Sequence, residues 1–126
     1  MGSILYIRKL EAMKSLSPHL GLMSPTEQHI KILSEEKGIF STGNWPISKS
    51  KIDDLVGKDL IVVKGSKKPA YVGGKIIDYK FIRKEVDKLG REKMFWAFTF
   101  ENNESYKGYE DHYDIWNSRS IVRYLN

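Results

Sequence analysis

Three apolar runs follow one another with only short turns between them: KDLIVVK (58–64), AYVGGKIIDYKFI (70–82) and KMFWAFTFE (93–101). GSKKP separates the first pair, and LGRE opens the way into the third. Runs this short, rich in β-branched and aromatic residues and bounded by Gly and Pro, predict strands joined as consecutive hairpins. Pro69 lacks a donor N–H, so it belongs at the start of its strand or at an edge. Gly73 and Gly74, inside the long middle run, predict a bulge, a bend or a close approach of backbone.

The third run is apolar on both sides. Met94, Trp96, Phe98 and Phe100 share one face, with Phe95 and Ala97 on the other. In a small domain this predicts a strand covered on both faces, by a curled sheet or barrel interior and by a helix or loop outside. The expected fold class is therefore α+β: a small curved mixed sheet or barrel flanked by short helices. Its 126 residues suit one domain, residues 1–126, with a hydrophobic core of its own.

Elsewhere the local signals differ. ILYIRKLEAMKSL (4–16) suits a strand running into a short helix, or a single helix, and SPHLGLM (17–23) reads as irregular chain. SPTEQHIKILSEEKG (24–38) predicts a helix: Ser24 caps, Pro25 takes the first position, Glu27 completes a capping box and Gly38 ends it. IFSTGNWP (39–46) reads as a loop bordering a pocket. SKIDDLV (50–56) reads as a short helix capped by Ser48 or Ser50 and closed by Gly57. The polar, tyrosine-rich stretch after residue 101 is expected to be a loop ending in a strand or short helix around SIVRYL.

No run of eighteen apolar residues occurs, and the start has no apolar stretch with a cleavage site, so neither a spanning segment nor a secretion leader is expected. Absence of cysteine removes disulfide and thiolate chemistry and is compatible with a cytoplasmic setting. The net charge of +5 is concentrated in the middle. Residues 46–93 carry thirteen Lys/Arg against seven Asp/Glu, whereas residues 94–126 carry three against five. Either a polyanion such as nucleic acid accounts for this, or the lysines serve solubility. Lys64, Lys67, Lys68, Lys75 and Lys80 are the candidate phosphate contacts, in hairpin positions where lysines also protect sheet edges.

Catalytic and cofactor signatures are missing from the sequence. KGSKK is not a phosphate-binding loop, no dinucleotide fingerprint follows a strand, and no nucleophile elbow occurs. Three histidines, His19, His29 and His112, offer few bases or metal ligands. Asp59, Asp78 and Glu101 are the carboxylates that separate strands could bring together as a metal-dependent nuclease site. No cofactor is expected. The aromatics Phe40, Trp45 and Trp116 stand in loop-like segments, where they could stack on a base or close an end of the core.

KGIFSTG, a short helix, and then DLIVVKGSKKPAYVGGKIIDYKF resemble the PUA-like superfamily, in particular the EVE and YTH-type readers of modified bases. The resemblance covers residues 37–83. It implies a curved sheet or barrel with flanking helices, and a flipped base held in an aromatic pocket between basic contacts. Lys37, Phe40, Ser41 and Thr42 match the segment bordering that pocket, with Phe40 where the family usually has tryptophan. The expectation is a nucleic-acid-binding module for DNA or RNA, reading a modified or flipped base through Phe40, Ser41, Thr42, Trp45 and Trp116. The alternatives are a protein-interaction or inhibitor module of a phage or defence system, and a small nucleic-acid-processing enzyme.

Overall fold

The three runs form the middle of a seven-stranded mixed sheet in the computed structural model, which describes residues 16–25, 29–112 and 121–125. In chain order the elements are β1 (Leu20–Met23), β2 (Ile30–Ser34), β3 (Ile39–Pro46), α1 (Lys49–Ile52), a 3-10 turn (Asp53–Leu55), β4 (Asp59–Val63), β5 (Ala70–Val86), β6 (Glu92–Asn102), a second 3-10 turn (Glu104–Tyr106) and β7 (Val122–Tyr124). Across the sheet the order is β2-β3-β6-β5-β4-β1-β7. Among the described residues only β1 and β4 run parallel, and every other pair is antiparallel.

Alternation in β6 decides which face becomes the core. Trp96, Phe98 and Phe100 are buried with Leu60, Val62 and Ile76 from the neighbouring strands. Burying Phe98 and Phe100 contributes roughly 1.5–3 kcal/mol each. Ile47, Ile52 and Leu55, from the segment around α1, cap this inner face. Ile30 and Phe40 at one end of the sheet and Val122 at the other pack on the same cluster, so the sheet curls around it. The described residues thus form an α+β domain with a curved, non-closed sheet flanked by one short helix.

The glycine pair serves close backbone approach. A Cβ on Gly73 would come within 2.8 Å of both the Leu60 carbonyl oxygen and the Tyr106 Cβ. One on Gly74 would overlap the Glu101 carbonyl. Bulges between Ile76 and Asp78 and between Phe81 and Arg83 then bend β5 along its length. In the following hairpin Asp87 accepts from the N–H groups of Leu89 and Arg91, both at 2.9 Å, and Gly90 takes φ +77°.

Three expectations need correction. Residues 30–34 are β2 and not helix: they pair with β3, and the Ser24 N–H donates to the Val63 carbonyl instead of opening a helix. Gly38 does adopt a left-handed φ of +66°, but in the β2–β3 turn. IFSTGNWP is the whole of β3, its alternation interrupted by a bulge between Thr42 and Trp45. The segment after Pro18 is not irregular, because Leu20–Met23 finds parallel partners in Leu60–Val63. The helical segment near residue 50 runs over residues 49–55 as expected, α1 passing directly into the 3-10 turn, with Gly57 at φ +88° beyond it. Ser48 occupies the N-cap position without a side-chain cap bond. SIVRYL supplies a strand, and residues 4–15 lie outside the described residues.

Cover on the outer face is also distributed differently from expectation. Tyr106 and Tyr109 fold back over Ile61, Val63 and Ala70. They are tied by Asn103 N–H to the Gly73 carbonyl, Gly108 N–H to the Ala70 carbonyl and Ala70 N–H to the Tyr109 carbonyl, each 2.8 Å. This shields β4 and the start of β5. On the outer side of β6, Phe95, Ala97 and Thr99 remain half-exposed.

Candidate nucleic-acid interface

The residues expected to form a base pocket are divided between the two faces of β3. Phe40 points inward, its ring meeting Phe100 edge-on with centroids 5.8 Å apart. Thr42 and Trp45 are 1% and 2% exposed, and the indole N–H donates to Thr42 Oγ1 at 2.9 Å. His29 lies against the Trp45 ring, with centroids 5.4 Å apart, and its Nδ1 is 2.7 Å from the Gly43 carbonyl oxygen. Trp45 is thus a core side chain whose polar atom is satisfied internally. Ser41 pairs with Thr99 on the outer side. Trp116 lies outside the described residues.

The five lysines also separate into groups. Lys67 and Lys68 are exposed at the β4–β5 turn, and Lys64 places its ammonium 5.7 Å from the Tyr71 ring centroid. Lys75 stands in a cross-strand row between Asp59 and Glu101, flanked by carboxylate residues. Lys80 is further along β5, opposite Ala97.

What the topology does bring together is the outer face of β2, β3, β6 and the second half of β5. One cross-strand row runs Lys31, Ser41, Thr99, Asp78. The next pairs Ala97 with Lys80, and the one beyond pairs Phe95 with Arg83. The Arg83 guanidinium lies 4.1 Å from the Phe95 ring centroid, and its Nε is 3.1 Å from Glu85. Small side chains keep the centre low: a Cβ on Gly43 would come within 2.9 Å of the Ala97 Cβ. Lys31, Phe95 and Arg83 were missed by sequence reasoning. The clue was the second apolar side of β6, which reads equally well as a covered face until the position of the cover is known.

The three carboxylates considered for metal chemistry do not converge. Asp59 accepts from the Tyr106 hydroxyl at 2.5 Å, Lys75 intervenes before Glu101, and Asp78 accepts from the Tyr79 N–H. Burial and the bond to Asp59 push the Tyr106 pKa strongly upward. Among the described residues no group of three His, Asp or Glu is placed to hold a metal ion. His112 is fully buried, stacked with Tyr109 at 6.4 Å, and burial pushes its pKa below the usual histidine value. No helix among the described residues is long and apolar enough to cross a membrane.

Compared with known proteins, the chain matches no family model, no curated protein and no solved structure.

Proposed function

We infer that this chain is a nucleic-acid-binding module and that the open outer face of β2, β3, β6 and β5 is its binding platform. The observation that carries this reading is the pairing of half-exposed Phe95 with Arg83, in rows that also present Lys31, Lys80, Ser41 and Thr99. With the Arg83 guanidinium lying over the Phe95 ring, the pair offers a base a planar surface to stack on, and Lys31 and Lys80 on the same face offer its phosphates a counter-charge. Ser41 and Thr99 offer hydroxyls for a sugar or base edge. An open sheet face of this kind suits single strands, whose bases are free to splay. The PUA-like relationship belongs to the same proposal. Its support is the curved mixed sheet with one short helix, while Trp45 in the core offers no wall for a base cage.

Fluorescence anisotropy tests the reading with labelled single- and double-stranded DNA and RNA, at low and near-physiological salt. Single strands should bind, with affinity falling as salt rises. Phe95→Ala should weaken binding about tenfold, the loss expected of one stacking ring. No binding of any oligonucleotide at low salt would reject it.

A second reading has its own observation. The outer edge of β5 beyond Ile76 carries exposed Ile77, Phe81, Ile82 and Val86, with Leu89 in the adjoining turn. Such an edge suits a protein-interaction module. Phe81→Ser with Val86→Ser should then abolish capture of a protein partner and leave oligonucleotide affinity unchanged.

A further inference from the structure

The curl of the sheet leaves a gap, and the gap has the chemistry of a ligand site. An open groove of about 600 Å³ lies where β7 approaches the end of β3 and the start of β6. Its apolar wall is Ile47, Met94, Ile121 and Val122, and its polar rim is Ser48, Ser50, Lys49 and Lys93. That volume is within the usual range for small-ligand sites. Tyr124, 38% exposed, divides this groove from a second hollow of about 250 Å³ lined by His19, Lys51, Asp54 and Lys58. Lys51 Nζ sits 4.1 Å from the Tyr124 ring centroid.

Charge around Tyr124 is one-sided. Lys49, Lys51, Lys58 and Lys93 surround the two hollows, against Glu92 and Asp54. Glu92 is already engaged by Lys84 at 3.3 Å. The Ser48 and Ser50 hydroxyls are hydrogen-bonded to each other at 3.2 Å at the rim, which leaves one O–H of the pair to donate to an anionic oxygen. The ligand that fits is flat and partly apolar, so as to lie against Tyr124 and the aliphatic wall. It also carries concentrated negative charge for several ammonium groups.

We propose that this gap binds a nucleoside monophosphate, with the base against Tyr124, Met94 and Val122 and the phosphate between Lys49, Lys93 and the serine hydroxyls. The ligand is either the free nucleotide or the phosphorylated end of a strand lying on the outer face, and the latter source rests on the function proposed above. The two sites meet at the end of β6 but on opposite faces of it. Met94 lines the groove from the inner side, and Phe95, next in sequence, belongs to the outer platform. Pro46 pairs with Phe95 while lining the groove, so a strand end reaches the groove only around this end of the sheet.

Amide chemical-shift titration of the full chain with adenosine monophosphate, adenosine and inorganic phosphate tests the site directly. The monophosphate should shift residues 47–50, 93–94 and 122–124, and should bind at least about tenfold more tightly than either fragment. The double variant Lys49→Glu, Lys93→Glu should lose about tenfold in that affinity while keeping native amide dispersion. A monophosphate that binds no better than phosphate, or that shifts a different surface, overturns the proposal. Anisotropy with 5′-phosphorylated and 5′-hydroxyl oligonucleotides separates the sources. A preference for the phosphorylated end, lost in the double variant, identifies the strand end. Monophosphate binding without such a preference identifies the free nucleotide. Binding of the monophosphate with no oligonucleotide bound at low salt would reject the platform and keep the groove. Oligonucleotides bound regardless of their end, with the monophosphate silent, would reject the groove and keep the platform.

Discussion

The ring of Tyr106 rests on the bare Cα of Gly73, with its hydroxyl donated to Asp59 at 2.5 Å. This contact holds the segment after β6 against the outer face of β4 and β5. Gly73→Ala puts a methyl group 2.8 Å from Tyr106 Cβ and from the Leu60 carbonyl oxygen, both packed and neither able to swing aside. Chemical denaturation should show a loss of about 1–3 kcal/mol. An alanine as well tolerated there as one at an open surface position would contradict the packing described.

Trp45 separates stability from binding. Trp45→Phe removes the indole N–H from Thr42 Oγ1 and leaves a buried hydroxyl without its donor, at a cost of about 1–3 kcal/mol. Oligonucleotide affinity of the folded protein should change by less than about twofold, since the ring is 2% exposed. A selective loss of binding with stability intact would place Trp45 at the ligand.

Charge reversal distinguishes the two sets of cations. Lys80→Glu with Arg83→Glu should weaken single-strand binding about tenfold or more, because both flank the stacking ring. Lys67→Glu with Lys68→Glu, at the turn, should cost only about two- to threefold through the long-range field. Anisotropy at matched salt compares them, and equal losses would remove the platform's privilege.

Acid should weaken the fold through His112. Burial disfavours its charged form, so its folded pKa lies below 6.5, although Lys68 backbone bonding and the charges of Asp111 and Glu110 oppose the shift. Above about 6.5 both folded and unfolded chains carry the neutral ring and its contribution is whole. As pH falls below that value the unfolded chain takes up the proton first, and stability declines until the folded pKa is passed. Urea unfolding at a series of pH values should show this slope, and His112→Gln should flatten it.

Legibility in the sequence followed how local each signal was. The alternation of β6 and the turn residues around Gly65 and Gly90 report local constraints and appear in the structure. The glycine pair, by contrast, signalled a close approach whose partners, Leu60, Tyr106 and Glu101, only the fold reveals. The segment from Ser24 to Gly38 carries the local chemistry of a helix, yet Ile30–Ser34 lies against β3, and pairing with a distant strand outweighed the cap. β3 was hidden by a bulge that breaks its alternation at Thr42. Phe95 and Arg83 come together only through the register of β5 with β6, which a second bulge resets one residue earlier. The groove at Tyr124 joins segments more than seventy residues apart and has no signature in any of them.

β1 is the first described strand in the chain and the sixth across the sheet, and both of its partners come later. Leu22 pairs with Val62 on one side and with Val122, a hundred positions onward, on the other. On a ribosome, Leu20–Met23 therefore waits about forty residues for its first partner, β4, and about a hundred for its second, β7, with that edge bare in the interval. Such a strand is a target for premature pairing and for chaperones, and its completion sets a late, long-range step in folding. The gap beside Tyr124 depends on the same long-range pairing, since Val122 and Tyr124, which line it, belong to β7.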